Sequence, residues 1–243
     1  MHPADVSRLT GGGTAGRGDN TVRNRFDAQL TQMNDLVAQM GRLCEDAIAK
    51  ATNALQDGNI ELAEEVMRED TQIDRAEREI EQLCLTLLLQ QQPVARDLRQ
   101  ISAALKMITD MERIGDQASD IAEIVISAQI NETTDFPEIA GMSREASGMV
   151  SDAVKAFLTK DLELASHVEK HDDVVDRMFD DVKAKLFDLI STNQTEYGHR
   201  AIDLIMIAKY LERIADHATN IAEWVIYSVT GVHEGAPDNR KLP

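Results

Sequence analysis

Carboxylates recur along this chain at a spacing that could hold cations. The stretch ERIGDQASDIAE, residues 112–123, carries Glu112, Asp116, Asp120 and Glu123. A hundred residues later ERIADHATNIAE, residues 212–223, repeats it with Glu212 and Asp216. Like charges at i,i+4 oppose helix formation, so a helix that writes them twice needs a compensating reason. At about 100° per residue, Glu112, Asp116 and Glu123 share one stripe. Leu98, Ile101, Leu105 and Ile108 lie within about 40° of that stripe one to four turns earlier, so an apolar line becomes a line of acids. Ile114, Ala118, Ile121 and Val125 form the opposite, apolar side and are expected to face the core.

Partners for these acids come from the preceding helix. DTQID at 70–74 and DDVVD at 172–176 each give Asp-x-x-x-Asp. Folding that helix back about a turn near residue 93 sets Asp74 level with Glu112 and Asp70 level with Asp116. A turn near residue 194 does the same for Asp176 with Glu212 and Asp172 with Asp216. Four carboxylates at one height repel unless solvated, protonated or bridged by cations. Hard oxygen donors without thiolates select magnesium, manganese, calcium or iron rather than a structural zinc. The alternative is a pair of solvated acidic faces; duplication and height matching favour metal. His217 points about 100° away from Asp216 and does not join the stripe. Arg113 and Arg213 are expected to make surface ion pairs.

Helical periodicity positions these residues. Phe26, Leu30, Met33, Val37, Met40, Cys44 and Ile48 follow one face of a first helix. Gly58 ends it, and Asn59 can cap a second from about Ile60 to Gln91. Pro93 sits at the start of a third, which runs to about residue 130. NETTDFPEIAG, residues 131–141, reads as the interior linker. The plan then repeats: a helix from about Met142, a TKD turn, a helix to about Ile190, an STNQT loop at 191–195, and a last helix from about Glu196 to Val229. Ten of fifteen residues are identical between 112–126 and 212–226, and IELA at 60–63 echoes LELA at 162–165. The expected fold is all-α: a first three-helix bundle over 25–130 and a second over 142–230. A glycine-rich flexible tail at 1–24 and a short C-terminal tail at 231–243 flank them.

Composition agrees and excludes several classes. Aromatics are 4% and hydrophobic residues 43%, which favours helix over sheet and rules out a wholly disordered chain. The net charge of -18 repels phosphate backbones, so nucleic-acid binding is not expected. Cys44 and Cys84 lack a CxxC or a Cys/His cluster and read as small core residues. The N-terminus has no apolar signal segment, and no run reaches the roughly 18 apolar residues of a spanning helix, so a cytoplasmic location is expected. A serine or cysteine nucleophile with an evident base, a phosphate-cradling glycine loop and a dinucleotide fingerprint are all absent, so no enzyme is expected.

MERIGDQASDIAE (111–123), LERIADHATNIAE (211–223), DTQID and DDVVD together closely resemble the PhoU family over about residues 25–230. The resemblance implies two pseudo-symmetric three-helix bundles, usually dimeric, in a cytoplasmic regulator that represses the phosphate-starvation response and restrains phosphate uptake. Implied partners are the ATPase subunit of the phosphate ABC transporter and a phosphate sensor histidine kinase, with the membrane met only through them. It also implies multinuclear metal clusters, of iron, zinc, manganese or magnesium, on Asp70, Asp74, Glu112, Asp116 and Asp120, and on Asp172, Asp176, Glu212 and Asp216. Asn220 replaces Asp120 in the second copy, so the two sites are expected to differ. The competing reading is a carboxylate-bridged di-metal oxidase or metal store on a helical bundle. Its usual Glu-x-x-His ligands are missing, since Gly115 and Ala215 hold the i+3 positions. A third reading is a structural adaptor with solvated acids.

Overall fold

Apolar residues spaced three and four apart need a continuous helical face to bury them, and each such run forms one long helix. A computed structural model describes residues 15–90, 93–130, 136–192 and 198–232. Its helices are α1 (Ala15–Asp57), α2 (Ile60–Gln90), α3 (Ala95–Ser127), α4 (Pro137–Thr159), α5 (Leu162–Thr192) and α6 (Gly198–Thr230). Among the described residues there is no strand. The stripe from Phe26 through Met33, Val37, Met40, Cys44 and Ile48 is buried, as are Ile114, Ala118, Ile121 and Val125. Both cysteines are reduced and buried, and burial pushes the Cys84 thiol up to about 12.

Two boundaries differ most from the sequence expectation, and α3 is also shorter, with Pro93 lying before its Val94 N-cap and Ser127 as its last residue. The first helix begins at Ala15, so residues 15–24 are helical rather than tail. Gly16 and Gly18 lower helix propensity there, and the first buried apolar residue is Phe26, so the period that signals a helix starts late. Arg23 in this segment pairs with Asp27 and reaches Asp97, both at 3.1 Å. The fourth helix starts at Pro137, five residues before Met142, with proline in the first turn. Ile139, Ala140 and Gly141 are buried in it, so the residues read as the end of a linker act as a helix start. The remaining linker residues 131–135, the tails 1–14 and 233–243, and most of the STNQT loop lie outside the described residues.

The turns inside each half repeat closely. Asn59 Oδ1 accepts from the Leu62 N–H at 3.0 Å to open α2. Asp161 Oδ1 accepts from Glu163 and Leu164 at 3.0 Å to open α5. Each turn passes through the left-handed region just before its cap, at Gly58 (φ 61) and Lys160 (φ 58).

Within each half, the first and third helices pack on the middle one. The halves also pack on each other: α3 lies along α6, and α1 lies along α4. Helices α1, α3, α4 and α6 thus surround one continuous apolar core, with α2 and α5 on its flanks. At the α1–α4 contact, the buried hydroxyls of Thr52 and Ser143 share a 2.6 Å hydrogen bond. At the α3–α6 contact, Asp110 Oδ1 lies 2.9 Å from His217 Nδ1 and accepts from Asn220 Nδ2 at 3.1 Å.

Candidate metal centre

Two helical hairpins, α2 with α3 and α5 with α6, carry the acidic residues. Gly115 lies at the contact of α2 with α3. A β-carbon there would stand 2.7 Å from Ile73 Cδ1 and 3.1 Å from Asp70 Oδ1. The missing side chain leaves room for the Ile73 and Asp70 side chains as they lie; in the second half Ala215 stands at the same place.

On this first face Asp70 is half-buried and held up to about 6. Burial is the main cause, followed by the charge of Asp116, then Asp74, Glu112 and Asp120. That order matches the expected register, with Asp70 level with Asp116. Glu112 is also raised, by burial and then by Asp116, against the pull of Arg113. Sequence reasoning missed Glu77, three residues beyond Asp74. Burial, Glu81 and Asp74 raise it, and its own charge acts on Glu112. The i+3 spacing from Asp74 was the available signal.

The second face follows the same geometry with weaker charge. Asp172 is raised to about 6, by burial first and then by Asp216 and Asp176, while the Thr219 hydroxyl works in the opposite direction. Its Oδ1 atom is buried and has no hydrogen-bond partner. Asp216 is raised by desolvation, then by Glu212, with Lys209 opposing. Phe179 stands where Glu77 stands in the first half, by the repeat that matches Asp74 to Asp176. Lys209 lies over that ring at 5.4 Å and also bonds Glu212.

Asp120 and its counterpart Asn220 turn partly toward the contact between halves. Asp120 hydrogen-bonds Tyr210 of α6 and feels Arg213, while burial and Asp116 raise it. Asn220 bonds Asp110 of α3. These contacts mirror one another, since residues 110 and 210 are repeat equivalents, as are 120 and 220. His217 likewise meets Asp110 rather than the acidic stripe.

The donor set suits a hard cation: carboxylate oxygens, six of them on raised side chains, and one orphaned buried oxygen on Asp172. Among the described residues, however, no three such side chains converge closely enough to grip an ion as placed. Basic neighbours occupy them instead. Arg78 bonds Asp74 at 3.1 Å, and Arg113 bonds Asp116 at 3.0 Å and approaches Glu112 at 3.5 Å. These arginines are more than half exposed, so they can leave for solvent at little cost.

Raised carboxylates make stability depend on pH. Between the ordinary aspartate value and about 6, the folded chain holds more protons at Asp70 and Asp172 than the unfolded chain does. Stability therefore falls as pH rises through that window. With chelator present, the melting temperature at about pH 5 should exceed that at about pH 7. Asp70→Asn with Asp172→Asn should lift the neutral value and flatten the difference. An unchanged slope in that double variant would remove these two groups as its source.

The duplicated architecture is matched by known proteins. The PhoU domain model matches residues 37–125 and 139–225, one match in each half. A "Phosphate-specific transport system accessory protein PhoU homolog" of Clostridium acetobutylicum is 33% identical over 212 residues, covering 86% of this chain and 96% of that protein. The homolog of Pseudomonas aeruginosa is 36% identical over 214 residues, covering 86% and 87%. The crystal structure of PhoU from Pseudomonas aeruginosa superposes with a TM-score of 0.80 at 35% identity, over 85% of this chain and all of that one. The phosphate transport system regulatory protein PhoU from Streptococcus pneumoniae gives 0.78 at 26% identity, over 85% and 98%. Two domain matches and near full-length relatives at this identity place the chain in the PhoU family.

Proposed function

We propose that this protein is a non-enzymatic accessory regulator of the phosphate transport system, which restrains uptake and represses the phosphate-starvation response when phosphate is plentiful. The observation that carries this reading is its family membership across both halves, with relatives named for that system. It acts in the cytoplasm by binding the ATPase subunit of the phosphate ABC transporter and a sensor histidine kinase, and it works as a homodimer. Among the described residues no helix is long and apolar enough to cross a membrane, which suits contact with the membrane through partners alone. Apolar side chains stand exposed near the tips of both hairpins: Leu85, Leu89 and Leu98 in the first, and Phe187, Ile202 and Met206 in the second. Clustered exposure of that kind supports a protein-binding role. The acidic faces hold metal ions that brace each hairpin.

Deleting the gene tests the regulatory reading. Phosphate-starvation genes should stay active, or uptake should stay unrestrained, in phosphate-rich medium. Normal repression together with normal uptake in the deletion strain would overturn it.

A further inference from the structure

Far from the acidic faces, three cations meet around a single carboxylate, Asp97. Arg96 and Arg99 occupy the first turns of α3, and Lys160 follows the last turn of α4. With Gln100, Ser228 and Val229 they line a cavity of about 130 Å³. Both halves of the chain build it. Among the described residues, none of the three cations has an ion-pair partner. Asp97, the carboxylate nearest in sequence, pairs with Arg23 at 3.1 Å and offsets only part of the repulsion that Arg96 exerts on Lys160.

Two details mark this as more than a basic surface patch. Arg99 Nε is buried and bonds nothing, and the side chain lies against Gly231, whose β-carbon position is 3.5 Å from Arg99 Cδ. A buried guanidinium donor left unbonded is costly. Lys160 adopts φ 58, ψ 38, whereas its repeat equivalent is Gly58, at φ 61. Glycine fits that backbone without strain and a lysine does not. In one turn the chain thus uses the relaxed residue, and in its twin it places a cation facing Arg96.

We propose that the Arg96, Arg99 and Lys160 cavity binds a tetrahedral oxyanion of the phosphate class. Its volume equals about four waters, room for one such ion with part of its hydration shell. A guanidinium presents paired donors matched to phosphate oxygens. The net charge of -18 repels diffuse anions, so only a local convergence of cations can hold one. An ion here ties α3 of the first half to α4 and α6 of the second. The site stands whether or not the chain regulates transport.

Calorimetric titration of the full chain with inorganic phosphate at constant ionic strength tests this. One saturable site per chain is expected. Arg96→Gln, Arg99→Gln and Lys160→Gly should each weaken it by about tenfold or more, the effect of one lost charge-assisted hydrogen bond. Lys160→Gly should also raise the phosphate-free melting temperature by about 2–4 °C through relief of strain, so weak binding by that variant cannot come from misfolding. Glycerol phosphate in parallel separates a phosphoryl group on a larger ligand from the free ion; tighter binding of either supports the site. No saturable heat from the wild type, equal binding by Lys160→Gly, or equal competition by chloride would each overturn the proposal.

Discussion

Glu112→Gln combined with Asp116→Asn should strip metal from the first acidic face and leave the second filled; Glu212→Gln with Asp216→Asn should do the reverse. Each hairpin supplies its own carboxylates, and the two faces share no residue. Loss of a bridging ligand should cost far more than the roughly 0–1 kcal/mol of an exposed ion pair, because the remaining acids are left facing one another. The amides keep the shape and remove the repulsion that, after burial, raises Glu112 and Asp216. Stability without metal should therefore hold or rise. A metal present at 100 times its dissociation constant adds about 2.7 kcal/mol, and the altered face should lose that increment. The first face should hold metal more tightly. It has Glu77 where the second has Phe179, and Lys209 already engages Glu212 on the second. Elemental analysis and thermal melts with and without chelator decide the matter. Wild type purified without chelator that carries no metal, and whose melting ignores added divalent or ferric ions, would show that these acids are only solvated faces.

Neither half should fold alone. Residues 1–130 and 136–243, made as separate chains, should each associate or melt without a sharp transition, and mixing them should restore cooperative melting. The reason is the single core shared by α1, α3, α4 and α6. Exposing even half a dozen core side chains costs about 10 kcal/mol at roughly 1.5–3 kcal/mol each, and a whole domain is stable by only about 5–15 kcal/mol. Size-exclusion chromatography with calorimetry reads the result. A monomeric fragment with a sharp melt would show that the halves are independent domains.

Much of this was legible from spacing. The Phe26 to Ile48 stripe is buried as its period implies. Hairpin geometry set Asp70 level with Asp116 and Asp172 level with Asp216, and those pairs dominate the charge felt by each aspartate. What escaped had no period to announce it. The start of α1 at Ala15 precedes the first core residue, and Pro137 reads equally as a breaker or an N1 proline. The pairings of Asp110 with His217 and of Tyr210 with Asp120 depend on how one bundle packs on the other. Helical phase within a segment carries no information about that packing. Lys160 was invisible because lysine does not signal the left-handed region, as Gly58 does.

The mirrored contacts between α3 and α6 have an evolutionary consequence. In a dimer of two identical three-helix units this contact would be isologous, and every substitution would appear at both of its ends. Fusion of two copies into one chain removes that constraint. One end could then become Asp110 with His217 and Asn220, while the other became Tyr210 with Asp120. The fused chain can change either end of the contact by a single mutation and leave the other as it was.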